Sequence, residues 1–338
     1  MTRAAIIGLA GPVLTAEEAA LLRDARPLGV ILFARNVQDP VQLTALTAAV
    51  RDVLGEAAPI LVDQEGGRVA RLRPPHWPAF PAAIAFADGP AGAARDGARR
   101  MGATCLAAGF DVVCAPVLDL RIPDAHGVIG DRAYGETPEA VARLGAAVVA
   151  GLLEAGVTPV VKHVPGHGRA TADSHHELPR VTADAATLAA DLHPFRALSA
   201  ADGGAAFWAM TAHVLYPAWD AARPATLSPS IIGEVIRGAI GFDGVLVSDD
   251  IAMGALAGLS NDLAAEVIGA GCDVLLHCSG RIAESAAVLH ATPPLSDRAA
   301  ERLATARAAA RHERFDGTAI ISAGPAGPDP TAAGRDAA

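Results

Sequence analysis

The chain has 338 residues, 51% of them apolar and only 4% aromatic, with 37 acidic against 27 basic side chains and a net charge of −10. Such an acidic, aromatic-poor surface neither attracts a phosphate backbone nor stacks bases, which excludes nucleic acid as a partner. The length suits one α/β barrel of ~250 residues or more as well as two smaller domains.

Residues 1–14 hold one Arg and a short apolar run, too little for a secretion signal or a membrane span. Thr15-Ala16-Glu17-Glu18 then reads as a capping box that opens a helix. Beyond it, short apolar, β-branched runs alternate with Ala/Leu-rich segments of helical period. The predicted strands are 5–9, 29–33, 60–62, 112–115, 159–161, 206–210, 245–247 and 273–276. Unbroken apolar runs of this length suit parallel strands buried on both faces. With helices such as 41–54, 138–155 and 186–199 between them, the pattern predicts a single (β/α)₈ TIM-type barrel over residues 1–315. Two doubly wound domains would need a linker in the middle, and only short turns are found there. Residues 316–338 are rich in Ala, Gly and Pro with little to bury, and read as a loosely ordered tail. Cys105, Cys114, Cys272 and Cys278 lie in apolar stretches without zinc-finger spacing. They read as buried reduced thiols, which points to the cytoplasm.

Polar residues gather where the strands end, and in a barrel of this type those ends form the active-site face. The third strand runs into Asp63-Gln64-Glu65-Gly66-Gly67-Arg68, with Arg71 beyond; the fourth leads to Asp119, Arg121 and the loop Gly130-Asp131-Arg132. The fifth delivers Lys162 and His163, the sixth Thr211 and His213, the seventh Ser248, Asp249 and Asp250. Asp and Ser after a strand also cap the next helix, so for Ser248, Asp250 and Asp131 both roles stay open. Lys162 stands out because every other basic side chain is an arginine. A compact ammonium does what a flat guanidinium fork cannot, which marks Lys162 as functional.

The segment from 165 to 176 carries two glycines and three histidines, and reads as a mobile loop that brings His175 over a bound ligand. Asp173, two residues before His175, is placed to bond its ring, fix the tautomer and favour a proton donor. Asp249, on a rigid strand end, is then a candidate nucleophile or electrostatic partner. Asp63, Arg71, Arg132, Lys162 and His163 supply the mixed donors and acceptors that a polyhydroxylated ligand needs. The set fits glycoside hydrolysis by a retaining route, with a histidine where a second carboxyl is usual.

At these residues the sequence resembles a known family. KHVPGHGRATADSHHELP is similar to the KHFPGHG…DSH signature of glycoside hydrolase family 3 β-N-acetylglucosaminidases of the peptidoglycan-recycling type. VLVSDDIAM resembles the family's nucleophile segment and VDQEGGRVARLR its sugar-binding strand, while GVILFARNV and MTAHVLY match two further segments. The resemblance runs from about residue 5 to about residue 290. It implies Asp249 as nucleophile, His175 as acid/base, Asp173 as its partner, and Asp63, Arg71, Arg132, Lys162 and His163 as sugar-binding residues. It also implies a small carbohydrate or muropeptide substrate, no cofactor, no metal, and a monomer or weak homodimer. The departures are Val164, where Phe is usual, and Ile251-Ala252, where Leu-Ser is common. The family's larger β-glucosidases draw a Glu acid/base from an added domain, for which this chain is too short.

Two rival readings remain. A metal-dependent hydrolase on the same barrel would have to use His163, His167, His175 and Asp249, and the first strand offers no His-x-His to join them. A phosphorylase of the same family would differ only in taking phosphate in place of water in the second step.

Overall fold

The computed structural model describes residues 1–123, 125–200 and 204–312. Eight parallel strands close into a barrel in sequence order, and β1 pairs with both β2 and β8. They are β1 Arg3–Gly8, β2 Pro27–Leu32, β3 Ile60–Val62, β4 Val112–Val113, β5 Thr158–Val164, β6 Trp208–Thr211, β7 Val245–Asp250 and β8 Val274–His277. The expected (β/α)₈ architecture is therefore the one found. The proposed tail at 316–338 lies outside the described residues.

Local sequence starts the helices where expected. Helix α1, Ala16–Ala25, opens on the Thr15 capping box, with the Glu18 amide donating to Thr15 Oγ1 at 3.1 Å. Helix α2, Pro40–Leu54, begins with proline at its first position, capped by Asp39 at 2.9 Å from the Gln42 amide. Helices α3, Ala91–Ala107, and α4, Pro138–Glu154, follow β3 and β4, and α5, Ala185–Ser199, follows β5. A π-helix over Ile231–Ala239 occupies the place after β6. Then come α6, Leu263–Ala270, α7, Ile282–Ala291, and α8, Asp297–His312.

The barrel interior is filled by inward side chains, among them Ile6, Ile31, Leu61, Val160, Met210 and Val247. Leu303 and Ala306 of α8 join this cluster, so the last helix closes the end opposite the strand C-termini. A packed interior leaves chemistry to the mouth.

Only β3 keeps its predicted span; the other seven strands shift, and three of them move by two residues or more at the C-terminal end. β5 and β7 run on through polar residues, to Val164 and Asp250, because ionic and amide partners at the mouth satisfy those side chains. β4 stops at Val113, three residues before Pro116, which has no amide hydrogen for a ladder. The four cysteines are buried and unpaired, as expected.

Candidate active site

The mouth is organised by two charge clusters on neighbouring strand ends. Lys162, at the end of β5 and 3% exposed, donates from Nζ to Asp63 Oδ1 at 2.8 Å and lies 2.6 Å from Glu65 Oε1. Arg132 closes on the same Glu65 as a fork, with Nε and Nη2 each 2.8 Å from one carboxylate oxygen. Arg71 reaches Asp63 Oδ2 at 3.2 Å from the other side and lies over the Phe33 ring, 5.6 Å from its centre. Burial alone would push both carboxyls up. Lys162 with Arg132 outweighs it at Glu65, which falls to about 2, and Lys162 with Arg71 does the same at Asp63. Lys162 in turn is pushed up, because its two carboxylates outweigh burial. One compact ammonium thus bridges Asp63 and Glu65, a specific place for the single lysine.

The second cluster is centred on Asp119, which is fully buried. Its Oδ2 is 2.6 Å from His163 Nδ1, and its Oδ1 accepts the His163 amide at 3.2 Å and the His167 amide at 2.6 Å. Those contacts hold its carboxyl below the usual range against the effect of burial. His167 is buried beside it, with Nε2 3.3 Å from Ser174 Oγ and Nδ1 without a partner. Burial, with His163 next to it, pulls His167 down to about 4.

Asp249 sits on β7 between these clusters and is half-buried. Burial opposes its ionisation, but His213, His163, the Asp250 amide and Lys162 hold its carboxyl below the ordinary carboxylate range. His213, fully buried after β6, is fixed by Thr226 Oγ1 at 2.7 Å from Nδ1 and by the Asp250 carbonyl at 3.0 Å from Nε2. An ionised carboxylate held on a rigid strand end beside Lys162 and two imidazoles is what a nucleophile requires.

The three residues whose roles stayed open serve the scaffold. Asp250 Oδ1 accepts the amides of Ala252 at 3.0 Å and Cys278 at 2.9 Å. Ser248 Oγ donates to the Asp249 carbonyl and accepts the Leu276 amide, and Asp131 pairs with Arg68.

His175 lies on the loop after β5, with its side chain 63% exposed and Nδ1 2.7 Å from Asp173 Oδ1. The loop is less free than its glycines suggested. A Cβ on Gly166 would meet Asp191 at 2.8 Å, and one on Gly168 would lie 2.2 Å from the Leu120 carbonyl, so both glycines serve close approach. Further on, the Ala255 and Gly254 amides hold the carbonyls of Ser174 and His175 at 3.1 and 3.2 Å. The exposed part is confined to the neighbourhood of Thr171 and of His175–Glu177.

Asp63, Arg71, Arg132, Lys162, His163 and Asp249 thus meet at the mouth, and Asp173 and His175 form their pair on the loop beside it. The sequence reading named Glu65, Asp119 and His213 on strand ends without giving them a role. Glu65 binds two of the predicted residues, Asp119 binds one, and His213 helps to keep Asp249 ionised. Among the described residues no group of three or more His, Cys, Asp or Glu side chains is arranged to hold a metal. His163, His167 and His175 are instead engaged by Asp119, Ser174 and Asp173.

Comparison with known proteins identifies the family. Residues 6–306 match the glycosyl hydrolase family 3 N-terminal domain. A β-hexosaminidase of Alkalilimnicola ehrlichii is 44% identical over 298 residues, covering 86% of this chain and 84% of that protein. The structure of NagZ from Neisseria gonorrhoeae with N-trifluoroacetyl-D-glucosamine superposes with a TM-score of 0.82 at 34% identity, covering 92% of this chain and 93% of that one. A family 3 β-N-acetylglucosaminidase from Paenibacillus gives 0.81 at 32% identity; 97% of this chain is covered, but only 64% of the longer Paenibacillus chain. The chain belongs to glycosyl hydrolase family 3.

Proposed function

We propose that this enzyme is a retaining β-N-acetylglucosaminidase that releases terminal, non-reducing GlcNAc from peptidoglycan fragments, GlcNAc-anhydroMurNAc and its peptides, in the cytoplasm. The relatives' β-hexosaminidase names and the Neisseria enzyme's sugar ligand support the reaction class. The observation that carries the mechanism is the pairing of a half-buried Asp249, kept ionised by its neighbours, with an exposed His175–Asp173 dyad on an adjacent loop.

In the first step the Asp249 carboxylate attacks the anomeric carbon, and His175 gives a proton to the departing oxygen. Asp173 holds the imidazole by its Nδ1, leaving Nε2 as the working nitrogen. In the second step His175 takes a proton from water, which attacks the glycosyl-enzyme and frees Asp249. Lys162, Arg132 and Arg71 are held by Asp63 and Glu65 before substrate arrives, so the sugar meets a set of donors and acceptors that need not reorganise. The buried, unpaired cysteines are compatible with a reducing compartment.

Product analysis with GlcNAc-anhydroMurNAc, with and without inorganic phosphate, tests the reading. Free GlcNAc, first as its β-anomer and unaffected by phosphate, is expected. A sugar 1-phosphate would replace hydrolysis by phosphorolysis, and an α-anomer first product would remove the retaining route.

A further inference from the structure

Among the described residues two Asp–His side-chain pairs lie at the mouth, and the proposed reaction uses only one of them as acid/base. Asp173–His175 is exposed on the loop, whereas Asp119–His163 is buried, with the carboxylate at 0% and the histidine at 6% exposure. Asp119 comes from the segment after β4 and collects three N–H groups of the β5 end, the His163 ring Nδ1 and the amides of His163 and His167. Asp119 thus binds His163 by both its ring and its amide, and the chain again at His167, at the root of the acid/base loop. His163 Nε2 has no hydrogen-bond partner among the described residues. A carboxylate that accepts Nδ1–H fixes which imidazole nitrogen is free, and so what the ring can offer a ligand.

We propose that Asp119 is a positioning residue of the glycosidase reaction: it sets the tautomer and orientation of His163, so that Nε2 is the nitrogen presented to the sugar, and ties the root of the His175 loop to the barrel. It acts through His163 and His167 and does not touch substrate. The proposal rests on the hydrolytic reading above for its kinetic consequence, but the His163 tautomer is a property of the unliganded protein.

The structure gives Asp119 two acceptor oxygens and three donors, and an asparagine there keeps the shape while turning one acceptor into an NH₂ donor. That donor faces His163 Nδ1 or an amide, and either choice disturbs the arrangement. In the full-length wild-type protein, ¹⁵N-resolved imidazole spectra should show His163 protonated on Nδ1. In Asp119→Asn the Nδ1 proton should be lost or moved to Nε2, and kcat/KM on a chromogenic N-acetylglucosaminide should fall ~10²-fold, as expected for a displaced reacting geometry. Val113→Ala, a core change on β4, serves as the control: it should lower thermal stability and leave both the tautomer and kcat/KM as in wild type. If Asp119→Asn fails to fold, the wild-type spectrum still decides the first half of the proposal. A His163 unprotonated on Nδ1 in wild type, or an Asp119→Asn enzyme with unchanged kcat/KM, overturns it. Failure of the hydrolytic reading looks different, since then wild type itself gives no GlcNAc while the spectrum is unaffected.

Discussion

Asp249 Oδ1 accepts the backbone amide of Asp250 at 2.8 Å, while Asp250 turns its own carboxylate onto the amides of Ala252 and Cys278. The pairing of β7 with β8 shifts register between Val247 and Asp250, so two adjacent carboxylates on one strand end take separate duties. Asp249→Ala should therefore lower kcat by ~10³-fold or more with little change in stability. Asp250→Ala should do the reverse, leaving two amides without their acceptor at about 1–3 kcal/mol each. Steady-state kinetics and urea unfolding of both variants check this; a larger kcat loss at Asp250 contradicts the assignment.

Lys162 is committed to Asp63 and Glu65 at once. Lys162→Arg keeps the charge, but its wider fork displaces the sugar, and kcat/KM should fall by roughly 10²-fold. Lys162→Met leaves two carboxylates short of a buried cation and should cost about 3–5 kcal/mol of stability. Wild-type kinetics in the arginine variant would show that the lysine is interchangeable and that the clamp does not depend on its geometry.

The role of His175 predicts a dependence on the leaving group. His175→Ala should slow substrates with poor leaving groups by ~10²–10⁴-fold. Dinitrophenolate leaves without a proton, so glycosylation of that substrate should be nearly spared. Asp173→Asn should reproduce part of the defect, because the ring loses the anionic acceptor for its Nδ1–H and can meet an NH₂ donor instead. Equal loss for good and poor leaving groups in the glycosylation step would make His175 a positioning residue.

His167 predicts an acid-side loss of stability. Its folded-state value of about 4 lies below the ordinary 6.5, so the unfolded chain takes up this proton first. The contribution is complete above pH 6.5 and is lost as pH falls toward 4, by up to about 3 kcal/mol. His167→Gln should flatten that slope. Urea midpoints of both proteins at about pH 7 and about pH 4.5 measure it; a gap between them that is the same at both pH values contradicts it.

Much of this architecture was legible because buried parallel strands need unbroken apolar runs, and all eight are present. β3 matched its predicted span at Ile60–Val62, and the Thr15 capping box opened α1 as read. The strand ends were less legible. Lys162 and His163 interrupt the apolar pattern of β5, yet the strand continues through them, since Asp63, Glu65 and Asp119 supply partners from distant parts of the chain. The same non-local pairing hid the roles of Glu65 and Asp119. Each stands in a segment already singled out, but spacing alone does not reveal which cation or imidazole a carboxylate will meet. Gly166 and Gly168 were read as sources of mobility, whereas Asp191 and the Leu120 carbonyl pressing on them make them packing glycines.

The most direct test of the central claim is to trap the glycosyl-enzyme with a fluorinated N-acetylglucosaminyl fluoride and map the adduct by peptide mass spectrometry. The account predicts stoichiometric labelling on Asp249, released slowly by water with recovery of activity. An adduct on any other residue, or turnover with no covalent intermediate under conditions that trap other retaining glycosidases, would contradict it.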